Sequence, residues 1–314
     1  MRLIRYSREN KPQIGFLLGD WVVDLMDAYW TWGHRAGSFW EHLEGQPPTD
    51  VCTLLRDADI WAGVGELHDF VQDQRQFKTG EMFGEIPALA LEQTSLLPPL
   101  RHPGKIVCAG LNYPPPPGSD AWIPPQYPVL FHKVATSLVG HLSPIVLPRI
   151  SQRVTYEGEL AVVIGKGGKN IPQEQTWGHI AGYTIANDVG AADIEGRTSQ
   201  WTSGKMFDTF LPLGPALVTQ NEIQAANNLK IKTTLNQRTV QESTTAEMVF
   251  DIADLISYIS TLTTLEPGDL ILTSSPKRVG ERPDPRTPLQ PGDRVSIEIE
   301  GLGTLSNPIA AEEG

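Results

Sequence analysis

Residues 155–165 read TYEGELAVVIG, and this stretch decides the fold class. Its second half is an unbroken apolar run rich in β-branched residues, which is typical of a strand buried on both faces. Side chains at positions i and i+2 of a strand point to the same face, so we expect Glu157 and Glu159 side by side, roughly 7 Å apart along the strand. Two such carboxylates repel one another, and a divalent cation bound between them would reverse the sign of that interaction.

A third carboxylate follows another apolar segment. Residues 180–188 read IAGYTIAND, so the predicted strand ends at Asp188. Three hard oxygen ligands, with positions left for water and substrate, suit Mg²⁺ or Mn²⁺ better than Zn²⁺, and Ca²⁺ is an alternative. The spacing by itself leaves a second interpretation open, in which Glu157 and Glu159 lie on an exposed edge strand and Asp188 belongs to a turn.

Strand-like segments dominate the rest of the chain. Glycine (29 residues) and proline (26 residues) are both frequent, which favours turns and sheets over a helical bundle. Short apolar runs bounded by turn residues occur at 2–6, 14–18, 21–25, 105–110, 129–133, 154–165, 180–188, 213–219, 229–235, 270–273 and 294–300. We therefore predict an α+β, mainly β fold.

A proline-rich stretch at 93–104 reads as a linker between two domains. It separates a small N-terminal domain at 1–95 from a larger domain at 104–310. The larger domain is expected to contain one amphipathic helix with an N-cap at Thr244 or Thr245. Its apolar residues recur at helical spacing and are Met248, Ile252, Leu255, Ile256 and Ile259.

The composition excludes several classes of function. The chain has 37 acidic residues and 25 lysine and arginine residues, a formal net charge of −12, whereas proteins that bind nucleic acid or anionic membranes need a basic surface. No apolar run approaches the roughly 20 residues that span a bilayer. The two cysteines, Cys52 and Cys108, fit a reducing compartment. We therefore expect a cytoplasmic protein that acts on a small molecule.

Six motifs are spread over the second part of the chain. They read KIVCAGLNY at 105–113, YEGELAVVIGK at 156–166, AGYTIANDV at 181–189, GKMFDTFLPLGP at 204–215, LEPGDLILT at 265–273 and IEGLGTLSNP at 299–308. In this order they resemble the fumarylacetoacetate hydrolase family over about 104–310. The resemblance implies a mixed β-sandwich roll, usually assembled as a homodimer. It also implies that Mg²⁺ or Mn²⁺ is held by Glu157, Glu159 and Asp188.

Further site residues follow from the same resemblance. Lys205 matches the family lysine beside the metal, and Lys133 matches another lysine of the pocket. Gln200 matches a polar residue in the same segment of relatives, and Tyr113, in the first motif, is expected to contact substrate. We therefore predict catalytic roles for Lys133, Lys205 and Gln200.

The chain departs from the family pattern in its expected lid and substrate clamp. Many relatives carry a histidine and, three residues later, a glutamate that together activate water, and the matching residues here are Pro116 and Ser119. Relatives also carry an arginine and a glutamine that grip substrate, where this chain has Ala192 and Glu195. We expect Glu195 to contact substrate in place of the glutamine.

A third departure lies in the loop after the segment 265–273. Relatives often read Thr-Gly-Thr-Pro, whereas this chain reads TSSP at 273–276. Ser274 adds a side chain where glycine left room, and we expect it to contact substrate. Ser275 preserves a hydroxyl and is predicted to be catalytic.

Family members act on 2-oxo acids and 1,3-dicarbonyl compounds by tautomerisation, decarboxylation or hydrolysis of a C–C bond. All of these reactions pass through an enolate, which a chelated cation stabilises. Because the predicted metal ligands are present and the lid base is not, we expect a metal-dependent tautomerase, isomerase or decarboxylase. A C–C hydrolase with a base from elsewhere, and a catalytically silent metal-binding protein, are the alternatives.

Overall fold

The computed structural model describes residues 1–32, 47–115, 122–276 and 288–313. Within them, strands outnumber helices, in agreement with the α+β, mainly β prediction. The helices are α1 (Leu25–Trp32), α2 (Val51–Leu55), α3 (Ala58–Arg75), α4 (Ala192–Glu195), α5 (Thr202–Lys205) and α6 (Ile252–Leu262). None of these described helices is both long and apolar enough to cross a membrane.

The strands run through all four described ranges. They are β1 (Arg2–Arg8), β2 (Lys11–Leu18), β3 (Trp21–Asp24), β4 (Lys78–Thr79), β5 (Met82–Phe83), β6 (Ile86–Ala90), β7 (Ser95–Leu97), β8 (Ile106–Gly110), β9 (Val129–His132), β10 (Leu138–Val139), β11 (Ile145–Leu147), β12 (Val154–Thr155), β13 (Gly158–Ile164), β14 (Ile180–Asn187), β15 (Gly190–Ala191), β16 (Leu211–Thr219), β17 (Lys230–Leu235), β18 (Arg238–Thr244), β19 (Leu270–Leu272), β20 (Arg294–Ile299) and β21 (Gly303–Ala311). Each apolar run predicted to be a strand overlaps at least one of them.

Two large sheets and one two-stranded pair contain the described strands. In the described residues the larger sheet has 14 strands, with the order β4-β5-β6-β3-β2-β1-β16-β14-β13-β19-β8-β9, and β7 and β10 pair with β1 and β16. The smaller sheet has the order β11-β21-β20-β17-β18, and β12 pairs with β15 alone. Because β1 pairs with β16 through Leu3 and Leu217, the strands of the predicted N-terminal domain continue the sheet of the larger domain.

Strand β13 is buried on both faces, as its apolar run predicts. Leu160, Val162 and Ile164 pack into the hydrophobic core that includes α6 and the smaller sheet. Ala161 and Val163 point the opposite way, into the core that includes the N-terminal strands and α3. The alternation follows from the two-residue repeat of a strand, and it places β13 at the centre of the molecule.

The amphipathic helix begins later than predicted. Helix α6 starts at Ile252, and Asp251 is its N-cap in a capping box with Asp254. Thr244 instead caps a single 3₁₀ turn by accepting the N–H of Ala246. Residues 249 and 250 cannot join the helix because their N–H groups donate to the carbonyl and the side-chain Oδ1 of Asn112.

A half-buried histidine, His141, joins the loop after β10 to strand β21. The N–H of Ser306 donates to Nδ1 of His141 at 3.1 Å, so the imidazole is neutral with its proton on Nε2. Burial, and then the positive charge of Arg294, lower the pKa of His141. The folded state disfavours the protonated ring more than the unfolded state does. The contribution of His141 to folding stability is therefore fully present above about pH 6.5 and is lost as the pH falls below it.

We predict that His141→Asn reduces this acid sensitivity, because asparagine keeps an acceptor for Ser306 and cannot be protonated. Urea unfolding at pH 7.5 and pH 5.5 measures the effect. The free energy of unfolding should fall more between these pH values in the wild type than in the variant. An equal fall in both proteins would show that His141 does not contribute.

Candidate metal centre

The candidate site forms where the paired strands β13 and β14 end. Gly158 lies opposite Asn187 in their register. Glu157, which precedes β13, and Asp188, which follows β14, are therefore the next residues beyond this pair. The N–H of Asp188 donates to the carbonyl of Glu157 at 2.8 Å. Oδ1 of Asn187 accepts the N–H of Glu157 at 3.0 Å. These bonds hold Glu157 and Asp188 together beyond the last ladder pair.

The strand predicted over 154–165 is interrupted just before this point. Strand β12 ends at Thr155 and β13 begins at Gly158. A Cβ on Gly158 would overlap the hydroxyl of Thr233 on β17, and it would also crowd Ile297 on β20. Glycine is therefore required here for the close approach of the smaller sheet to the site.

Three carboxylates meet at this point. Glu157, Glu159 and Asp188 can each offer one oxygen such that all three oxygens lie within 4.8 Å of one another. Glu159 and Asp188 are fully buried, whereas the side chain of Glu157 is 21% exposed. Burial, and then the charges of Asp188 and Glu157, raise the pKa of Glu159 well above its ordinary value.

Two buried lysines compensate part of this negative charge. Nζ of Lys205 lies 2.7 Å from Oε2 of Glu157 and 2.7 Å from Oδ2 of Asp188. Nζ of Lys133 lies 2.8 Å from Oδ1 of Asp188. Burial alone would raise the pKa of Asp188, but the two lysines hold it below its ordinary value. Burial opposes the charged form of Lys205, yet Asp188, Glu157 and Glu195 raise its pKa.

Lys133 lies behind Asp188. Besides this carboxylate, its ammonium group donates to the carbonyl of Val189 at 2.9 Å and to that of Lys205 at 2.7 Å. An ammonium group has three donors, and all three face acceptors here. The geometry therefore suits Lys133 to orienting Asp188 and the backbone on either side of it.

The loop after β19 reaches the same cluster. The N–H of Ser274 donates to Oε2 of Glu159 at 2.9 Å, and the Ser274 hydroxyl accepts the N–H of Asn112 at 3.4 Å. Ser274 has a φ of 79°, a left-handed conformation that is strained for a residue with a Cβ. Ser275, the next residue, is half-buried.

The remaining predicted residues differ in their contacts and in their exposure. Oε1 of Glu195 is 4.0 Å from Nζ of Lys205. Tyr113 is 2% exposed, and its hydroxyl has no hydrogen-bond partner among the described residues. Gln200 lies between α4 and α5 with an exposed side chain. Ala192, where relatives have arginine, begins α4.

The two lid positions, Pro116 and Ser119, lie outside the described residues. The contact between Asn187 and Glu157 was not anticipated from the sequence. The sequence does contain a signal for this contact, namely a polar residue, Asn187, at the end of an apolar strand, and this residue is buried in the structure. Such a residue needs a hydrogen-bond partner, and the unpaired backbone beyond the strand supplies one.

The sequence model described as "Fumarylacetoacetate (FAA) hydrolase C-terminal" matches residues 105–310. The chain belongs to this family. A relative in Homo sapiens, named oxaloacetate tautomerase FAHD2A, mitochondrial, is 44% identical over 227 residues, which cover 72% of each chain.

Solved structures agree with the family assignment. A 5-carboxymethyl-2-hydroxymuconate delta-isomerase from Mycobacterium smegmatis aligns over 100% of both chains, with a TM-score of 0.72 and 30% identity. A maleylpyruvate hydrolase from Sphingobium sp. SYK-6, solved with manganese(II) and pyruvate, aligns over 100% of both chains with a TM-score of 0.75 and 26% identity. The fumarylacetoacetate hydrolase family thus includes isomerases and hydrolases of this fold.

In this family member the donor set fits a divalent cation. The ligands are hard carboxylate oxygens, as Mg²⁺ and Mn²⁺ prefer. When all four are ionised, Glu157, Glu159, Asp188 and Glu195 carry more negative charge than Lys133 and Lys205 balance. A divalent cation would compensate the two negative charges that remain.

We predict that Glu159→Gln weakens Mn²⁺ binding at least about tenfold, since loss of an outer partner alone costs tenfold or more in typical metal sites. Titration of free Mn²⁺ by electron paramagnetic resonance measures the dissociation constant. Glu298→Gln removes the same charge from an exposed position on β20 and should bind like the wild type. Equal affinity in all three proteins would contradict the ligand assignment.

The strained Ser274 yields a prediction on stability. Ser274→Gly and Ser274→Ala both lose the hydroxyl, but only glycine adopts a φ of 79° without a steric penalty. The glycine variant should therefore be more stable than the alanine variant by about 1 kcal/mol. Chemical denaturation compares the two, and a more stable alanine variant would contradict the strain.

Proposed function

We propose that this chain is a divalent-cation-dependent tautomerase or isomerase of a 2-oxo acid, with oxaloacetate as the first candidate substrate. The observation that carries the proposal is the cluster of three carboxylates, Glu157, Glu159 and Asp188, with Lys205 in contact with two of them. The name of the human relative, an oxaloacetate tautomerase, supports the substrate class. A decarboxylase would use the same site, and its product distinguishes it.

Mg²⁺ or Mn²⁺ bound by the three carboxylates would supply a Lewis acid for negative charge on the oxygens of a chelating substrate. The chain prepares the site for this role. Lys133 and Lys205 keep Asp188 ionised. The N–H of Ser274 fixes one oxygen of Glu159 and leaves the other free to turn towards the cluster.

Tautomerisation moves a proton between a carbon and the neighbouring carbonyl oxygen, so protonated groups must lie near the substrate. We assign Tyr113 a hydrogen bond to a substrate oxygen. Burial, and then the charges of Glu159 and Glu247, raise the pKa of Tyr113, so its hydroxyl keeps its proton at neutral pH. Lys205 brings a second protonated group, and Gln200, Glu195 and Ser275 remain predicted site residues.

A C–C hydrolase is the second candidate, because the maleylpyruvate hydrolase shares the fold with a TM-score of 0.75. Hydrolysis needs a base that positions a water molecule. Pro116 and Ser119 occupy the positions where many family members carry that base, and neither residue is a base. This difference favours tautomerisation. A catalytically silent protein would bind the cation without turnover.

We also propose a homodimer in a reducing compartment. Cys52 and Cys108 are buried and free, as expected for such a compartment. The human relative is named as mitochondrial, whereas our proposal for this chain is the cytoplasm.

We predict that the purified protein accelerates the enol-to-keto conversion of oxaloacetate. The decrease in enol absorbance measures the rate. Chelation with EDTA should abolish the acceleration, and Mg²⁺ or Mn²⁺ should restore it. Lys205→Met should lower kcat at least about 100-fold, because it removes a proton-holding group and the partner of two carboxylates. Lys166→Met changes an exposed lysine and should have wild-type activity.

The products decide between the candidate reactions. In unlabelled water a tautomerase returns oxaloacetate of unchanged mass, and a decarboxylase releases carbon dioxide. A hydrolase acting on an acylpyruvate places ¹⁸O from labelled water in the carboxylate that the C–C cleavage forms. Activity that is indifferent to EDTA would refute the cation-dependent mechanism. Background rates for every substrate, with intact Mn²⁺ binding, would identify the silent alternative.

A further inference from the structure

Two backbone N–H groups at the candidate site have unusual partners. The N–H of Glu157 donates to the side-chain amide of Asn187 at 3.0 Å, and the N–H of Gly158 donates to Oε1 of Gln241 at 3.2 Å. Both acceptors are side-chain amides, where a continuous strand would offer backbone carbonyls. The backbone that connects Glu157 to Glu159 is therefore oriented by two side chains.

Gln241 comes from the other sheet. It lies on β18 opposite Thr233 of β17 and is 2% exposed. Its side chain crosses from the smaller sheet to the beginning of β13, which is 83 residues away in sequence. A polar side chain buried in this way must find partners for both ends of its amide.

The other end of the amide holds the loop that contacts Glu159. Nε2 of Gln241 donates to the carbonyl of Pro276 at 2.7 Å. Two residues earlier, the N–H of Ser274 donates to Oε2 of Glu159 at 2.9 Å. Gln241 is thus connected to Glu159 by two routes. One runs through the backbone of the preceding Gly158, and the other through the loop whose N–H binds the carboxylate.

The two partners require an amide. The Gly158 N–H can only donate and the Pro276 carbonyl can only accept, so the residue between them must offer one acceptor and one donor. Glutamate would place a carboxylate oxygen against the carbonyl of Pro276. Methionine has nearly the same length and can make neither bond.

We propose that Gln241 is a positioning residue that sets the geometry of the Glu157 and Glu159 carboxylates and thereby the cation affinity of the site. The inference rests on the proposed cation site. Gln241 touches neither cation nor substrate, and it acts through the backbone of Gly158 and the loop at 274–276. Without it, both segments lose their anchor to the smaller sheet, and the two carboxylates are no longer held at a fixed separation.

The test compares Mn²⁺ affinity in Gln241→Met with that in a variant that truncates a buried apolar side chain of the same sheet. Ile231→Ala serves as this control, because Ile231 is buried on β17 in the same sheet. Each protein is first shown to be folded by far-UV circular dichroism. Free Mn²⁺ is then titrated by electron paramagnetic resonance.

Gln241→Met should weaken Mn²⁺ binding by about 10- to 100-fold, and Ile231→Ala should stay within about twofold of the wild type. Gln241→Asn keeps the amide but is one methylene too short to reach both partners, so it should also bind more weakly. It replaces the methionine variant if that variant does not fold. A folded Gln241 variant with wild-type affinity would overturn the positioning role, whereas a wild type without Mn²⁺ binding would overturn the cation site itself.

Discussion

Repulsion among three clustered carboxylates, two of them fully buried, is the constraint that the structure has to satisfy. Glu157, Glu159 and Asp188 bring oxygens within 4.8 Å of one another, in surroundings that exclude most water and so strengthen the repulsion. The chain meets this constraint unevenly. Asp188 is kept ionised between two ammonium groups, whereas Glu159, which has a backbone N–H for one oxygen, has a raised pKa. A divalent cation would complete the compensation, and cation binding and the stability of the site would then depend on each other.

Buried amide side chains form a framework around the carboxylates. Asn112 donates to the carbonyls of Phe250 and Thr273, and it accepts the N–H of Phe250. Asn187 and Gln241 hold the backbone at Glu157 and Gly158. Strands end at this place, so their backbone groups lack ladder partners and need others. An amide offers both a donor and an acceptor without adding charge, which suits it to a site that already has an excess of negative charge.

The same requirement for close approach explains the unusual backbone of the site. Ser274 keeps a left-handed conformation because its N–H must point at Glu159, and Gly158 allows the smaller sheet to approach within contact distance. Such departures from relaxed geometry are found at functional sites, where surrounding contacts hold them in place. In this chain the contacts come from β18, β19 and the loop after β8. The geometry of the candidate metal centre therefore depends on both sheets, although all three carboxylates lie at the ends of two neighbouring strands.

The sequence by itself determined the strands on either side of the candidate site, the family and the three carboxylates, but not β18 or β21. Alternation and apolar runs are local properties, so β13 and β14 could be placed, and with them Glu159 and Asp188. The start of α6 could not, because Asn112, more than 130 residues earlier, binds the N–H of Phe250 and ends any helix there. The sequence also did not predict the ion pair of Lys133 with Asp188 or the hydrogen bond of Gln241, on β18, with Gly158. Only the tertiary structure decided these contacts, since a hydrogen bond between distant segments leaves no periodic signal in either of them.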